Sequence, residues 1–177
     1  MAEFEPSYLV KGLPGHPLHP PLTDATIGAY TFAAIAAILS KAGVAEHGFA
    51  QAWWLALVVA LVATVVTAAA GFVDWLSITW GSELWKTATI HALTNVTAAV
   101  LFLIAAIVGH GGYVDRTVTT GAFVLTLVGF AVLAVGGWLG GAITYVHGMR
   151  VLSLPEEPAV AAVTPVPTEE KVKAARG

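Results

Sequence analysis

Four long stretches without a formal charge dominate the chain. They cover residues 25–40, 51–73, 87–109 and 117–146, and Asp24, Lys41, Asp74 and other polar residues punctuate them. An α-helix needs about 20 apolar residues to cross roughly 30 Å of hydrocarbon. The last three stretches meet that length. The first is short, but Leu22 and Thr23 can extend it, and a thinned or tilted crossing tolerates the difference. Lipid supplies no hydrogen bonds, so each stretch must satisfy its own backbone as a helix. Short links over 41–50, 74–86 and 110–116 make neighbouring spans antiparallel. The pattern predicts an all-α, integral membrane four-helix bundle of up-down topology, with spans at about 24–41, 51–73, 87–109 and 117–146. Thr23 or Asp24 is the expected cap of the first.

The flanks read differently. Residues 1–22 form a Pro/His-rich N-terminal segment with five prolines before Thr23. Glu3, Glu5 and the absence of an apolar core there argue against a signal peptide. Residues 23–150 are the transmembrane domain. Residues 151–177 are rich in Pro, Glu and Ala without helical periodicity, and are expected to be a disordered cytoplasmic tail.

Composition sharpens this picture. Hydrophobic residues make up 57% of the 177 and charged residues only 11%, against about 25% charged in soluble domains; mean hydropathy is +0.79. The bilayer is therefore the principal partner. A net charge of −3 leaves no basic footprint for nucleic acid. Cysteine is absent, which excludes disulfides, thiolate catalysis, Cys-ligated clusters and covalently attached haem. No P-loop, dinucleotide fingerprint, HExxH or GxSxG elbow is present, so no enzyme chemistry is visible.

An even number of spans brings both termini to one rim of the bundle, with the 74–86 link. Lys11, Lys86 and Arg150 lie near the spans on this rim, against Lys41 and Arg116 on the other. The positive-inside rule then favours cytoplasmic termini. Trp75, Trp80 and Trp85 in the same link suit the headgroup zone.

The six histidines sort by topology. His47 and His110 fall in loops of the far rim, where water and Gly neighbours account for them. His16, His19, His91 and His147 are expected to converge on the termini rim beside Asp24, Asp74 and Glu83. Ionisable groups near hydrocarbon are costly and point to function. In GHPLHPP the prolines remove donors and fix φ, so His16 and His19 sit on a stiff, extended or turned stretch. His91 and Asn95 share a helix face, and Asn95 can order an imidazole or a helix partner. Asp74 can accept an imidazole's second proton. Gly136, Gly137, Gly140 and Gly141 form overlapping GxxxG patterns. Gly140, seven before His147, offers a flat strip under an inward imidazole, and equally suits tight helix packing.

Taken together, GHPLHP before span one, GFxDW after span two, HxxxN in span three and GWLGGxxxYxxG at the end of span four resemble the DUF2231 family. The resemblance covers roughly 12–150. It implies a four-span protein of the bacterial cytoplasmic (inner) membrane, and it falls on His16, Pro17, His19, Pro20, Asp74, His91, Asn95 and Gly140. Some relatives join a similar module to a Rieske-type iron–sulfur domain, which implies redox company.

Three functions fit. The first is binding of b-type haem, with His91 and one of His16, His19 or His147 as ligands, and electron transfer to a partner such as a Rieske-type protein or respiratory complex. The second is a non-catalytic anchor or assembly subunit, in which the polar cluster is a structural knot and no cofactor is bound. The third is a transition-metal site, copper or zinc, on the same imidazoles. A homo-oligomer is compatible with all three.

Overall fold

The computed structural model describes residues 8–13, 15–152 and 154–164. Its elements are α1 (Tyr8–Lys11), β1 (Gly12–Leu13), β2 (His16–Pro17), α2 (His19–Lys41), α3 (Glu46–Leu76), α4 (Glu83–Asp115), α5 (Thr120–Gly141), a π-helical turn (Ala142–Val146) and α6 (Ala159–Ala162). Helices α2 to α5, with the π turn extending α5, are each long and apolar enough to span a bilayer. α2 packs along α3 and α4 along α5. α3 also meets α4, and α2 meets α5, so the four close into a ring of antiparallel neighbours.

The helices start earlier and run further than the charge-free stretches. α2 begins at His19, not near residue 24, with Pro20 and Pro21 in its first positions and without a side-chain cap. The first-turn amides of a helix have no intrahelical acceptor, so proline costs nothing there. Thr23 does not cap; its hydroxyl donates back to the His19 carbonyl at 2.9 Å. The extended reading of GHPLHPP holds for His16–Pro17, which as β2 pairs antiparallel with β1 through Leu13 and His16, and fails for His19–Pro21, which form the first turn of α2. At 23 residues α2 is about 34 Å long, so the first span is not short after all. α4 is capped by the Ser82 hydroxyl, which accepts from the Trp85 amide at 3.1 Å, and Arg116 closes it at φ 56°. The expected disordered tail falls partly on 165–177, outside the described residues; Ala159–Ala162 within it is helical.

The interior is made of small residues with a few large ones set among them. Ala33, Ala36 and Ala37 on α2 and Ala105 on α4 are fully buried. Small side chains let helices approach when lipid offers no hydrophobic drive between them. At the centre Tyr30 of α2 stacks on Phe102 of α4, ring centroids 3.9 Å apart. Toward the far rim Trp53 is fully enclosed, donates to the Thr126 hydroxyl at 3.0 Å, and lies flush against Gly109. The outward faces carry exposed Val59, Val62, Val65, Leu93, Val96 and Ile107. Such a surface is stable facing acyl chains.

The fit at Trp53 gives a paired test. A side chain at Gly109 runs into the indole, whereas one at Gly111 meets nothing. Gly109→Val is expected to destabilise the detergent-solubilised protein by about 1–3 kcal/mol, and Gly111→Val to leave the melting temperature near native. Thermal unfolding of the two variants checks this.

Candidate functional site

The rim formed by the start of α2 and α4 and the end of α3 and α5 carries the polar chemistry. His19, in the first turn of α2, is half-buried and directs Nδ1 to the Thr67 carbonyl of α3 at 3.0 Å. Its ring lies on Gly71, where a Cβ would come within 2.7 Å of Cε1. His91, two turns into α4, is also half-buried and directs Nδ1 to the Gly136 carbonyl of α5 at 2.8 Å. Its ring lies on Gly140, where a Cβ would come within 3.1 Å of Cε1. A carbonyl only accepts, so in the neutral imidazole Nδ1 holds the proton and Nε2 keeps its lone pair.

Asn95 lies one turn beyond His91. Its amide donates to the His91 carbonyl at 2.8 Å and rests 3.2 and 3.4 Å from the ring nitrogens. Gly136 makes room for it, since a Cβ there would fall 2.7 Å from the carboxamide oxygen. Gly136 thus seats Asn95 with its Cα and binds His91 with its carbonyl.

The other expected members lie apart. His16 is exposed on β2. His147 is exposed as well, with Nε2 3.0 Å from the Thr87 hydroxyl. Gly140 therefore underlies His91 and not His147. The seven-residue spacing assumed an α-helix, but the π turn at Ala142–Val146 rotates the chain out of that register. Asp74 is buried and accepts from Arg150 Nη2 at 2.5 Å, so it orients a guanidinium and no imidazole. Asp24 is exposed, and Glu83 pairs with Lys86 at 2.6 Å on the surface. Among the described residues no three His, Asp or Glu side chains gather as a metal-binding cluster. On the far rim His47 lies 3.0 Å from the Arg116 carbonyl and His110 sets its ring 5.2 Å from Trp54.

Four contributors were not picked out from the sequence: the Thr67 and Gly136 carbonyls, Gly71, and Arg150 as the partner of Asp74. A signal for the first three exists. Thr67 and Gly71, like Gly136 and Gly140, are small residues four apart, the spacing at which one helix admits a neighbour's side chain. No spacing rule links Asp74 to Arg150, 76 positions away.

The family of predicted membrane proteins DUF2231 matches residues 15–153. The chain belongs to the DUF2231 family. The matched stretch of this DUF2231 protein takes in both seated imidazoles, the Asp74–Arg150 pair and all four spans. No curated protein and no solved structure matches the chain.

The ion pair, buried on its Asp74 side, yields a direct expectation. Arg150→Met leaves the Asp74 carboxylate enclosed without its donor and is expected to cost about 1–3 kcal/mol. Asp74→Asn combined with Arg150→Met should recover part of that loss, because the uncompensated charge is gone. A double-mutant cycle on thermal stability measures the coupling.

Proposed function

We propose that this DUF2231 protein is a redox-linked membrane protein that binds b-type haem at the histidine-bearing rim and exchanges electrons with a membrane partner. One observation carries the reading. Two half-buried imidazoles on different helices each have Nδ1 engaged by a backbone carbonyl, which makes Nε2 the acceptor nitrogen; that of His91 lies 3.4 Å from the Asn95 amide. That tautomer and that outer hydrogen bond are what ligating histidines use. The glycine seats Gly71 and Gly140 fix the ring planes at little entropic cost, and Asn95 steadies the second ring. Haem would supply one-electron chemistry; the chain would hold it in a dry, low-dielectric setting that tunes its potential. A Rieske-type or respiratory partner is the reading that the family's company favours. Lys11, Lys86 and Arg150 favour a cytoplasmic position for this rim, in a bacterial inner membrane.

A second reading has its own support. The same two imidazoles tie α2 to α3 and α4 to α5 by hydrogen bonds, which is sufficient reason for them in a scaffold subunit without a cofactor. The readings part on a spectrum. Protein purified from membranes in mild detergent is expected to show haem absorption bands that shift on reduction, and His91→Ala should bleach them while the protein stays monodisperse. A colourless protein that takes up no added haemin and co-purifies with other subunits would establish the scaffold. A colourless protein with stoichiometric copper or zinc would replace haem by a metal ion on the same imidazoles.

A further inference from the structure

The bundle is built twice, and setting its halves side by side singles out one lipid-facing spot. A shift of 72 positions carries His19, Thr23 and Tyr30 of α2 onto His91, Asn95 and Phe102 of α4. The contacts repeat with the residues. Each His directs Nδ1 to a carbonyl of the next helix. Thr23 and Asn95 each donate to the carbonyl of their own histidine, at 2.9 and 2.8 Å. Tyr30 and Phe102 stack on one another. Buried, half-buried and exposed positions follow in the same order over residues 19–28 and 91–100. α4 is thus an internal control for α2, showing what the fold itself requires at each position.

Asp24 and Gly28 depart from that control. Both are exposed on the outward face of α2, one turn apart. Their counterparts on α4 are Val96 and Val100, exposed at 58% and 48%, and valine is what a helix facing acyl chains ordinarily carries. Tyr30 is the middle residue of α2, so Asp24 lies about 9 Å along the axis from the centre of the span. That is inside a hydrocarbon half-thickness of about 15 Å. A carboxyl at this depth is costly without a partner, and its one-methylene stem cannot carry it to the headgroups as a lysine's longer stem would. Among the described residues no hydrogen bond or ion pair reaches Asp24. Gly28 has no internal reason either. A Cβ there would meet nothing within 4 Å, so the glycine spares no neighbour in its own chain and only loosens its helix.

We infer that the outward face of α2 at Asp24 and Gly28 is a contact between two copies of this chain, in which the two Asp24 carboxyls hydrogen-bond to one another within the bilayer. All copies insert alike, so a twofold axis along the membrane normal sets both Asp24 side chains at the same depth. A second copy is therefore the partner that always brings a polar group to that level. A protonated carboxyl both donates and accepts, and two apposed carboxyls share a proton. Gly28, one turn nearer the midplane, lets the two backbones approach until the side chains meet. Among the described residues the chain's cations, Lys11, Lys41, Lys86, Arg116 and Arg150, lie at the rims, so a carboxyl pair and not a salt bridge closes the contact. The second hairpin, with Val96 and Val100 at the same places, stays in lipid. This contact stands apart from the proposed function, since it uses neither His19 nor His91.

The chain has no cysteine, so single introduced thiols report the contact for the full-length protein in native membranes. Under a thiol oxidant, Ala25→Cys on the same face is expected to give a disulfide-linked dimer. Val65→Cys on α3 and Val96→Cys on α4, both exposed, should stay monomeric. Adding Asp24→Leu or Gly28→Leu to Ala25→Cys should lower the cross-linked fraction roughly tenfold, whereas Asp24→Asn should keep it, because a carboxamide also donates and accepts. The melting temperature of detergent-solubilised Asp24→Leu should stay near native, which separates a contact between copies from a role inside one chain. Undiminished cross-linking in the Asp24→Leu background, or cross-linking at Val65→Cys or Val96→Cys in place of Ala25→Cys, would overturn the contact. So would a chain that stays monomeric in membranes, an α2 face that links to a different protein, or a loss of cross-linking accompanied by a lowered melting temperature.

Discussion

Hydrocarbon offers a polar group nothing to bond with, and the arrangement of this bundle follows from that constraint. Among the described residues no buried side-chain nitrogen or oxygen lacks a partner. Most hydroxyls turn back on their own helix: Thr31 to Ile27, Thr94 to Ile90 and Thr97 to Leu93. Those that reach across fix helix pairs, as Thr26 does with Thr67 and Trp53 with Thr126. The imidazoles obey the same rule. His19 and His91 each spend Nδ1 on a neighbouring helix's carbonyl.

Close approach is the second condition. A histidine can bond a carbonyl in the middle of a neighbouring helix only if that helix exposes its backbone. Gly71 and Gly140 do so beside His19 and His91, and Gly136 does so beside Asn95. Elsewhere the same economy admits large aromatics: Gly109 receives Trp53, and Gly129 sits 3.2 Å, measured from a hypothetical Cβ, from the Phe102 ring. The small residues are thus tied to particular large or polar partners and do not form a uniform packing stripe.

The four spans were legible because a bilayer demands a long, charge-poor signal, and little else in a sequence imitates it. Their ends were not. The prolines of His19–Thr23 and the cap and charges of Ser82–Lys86 look like loop, yet the helical backbone runs through these first turns. The convergence of imidazoles on one rim was legible in part. Antiparallel topology brings His19, His91 and His147 to the same rim, but His147 is exposed there and does not face inward, because of a π turn, which leaves no mark that periodicity can detect. Asp74 was read as the acceptor for an imidazole's second proton, whereas its observed partner, Arg150, depends on a chain reversal through Gly148 at φ 66° and Arg150 at φ 57°, a tertiary feature with no local pattern.

That reversal has an effect beyond holding a carboxylate. With Arg150 pinned to the end of α3, the polypeptide that follows leaves the bundle from the same edge that bears His19 and His91, and from a fixed point on it.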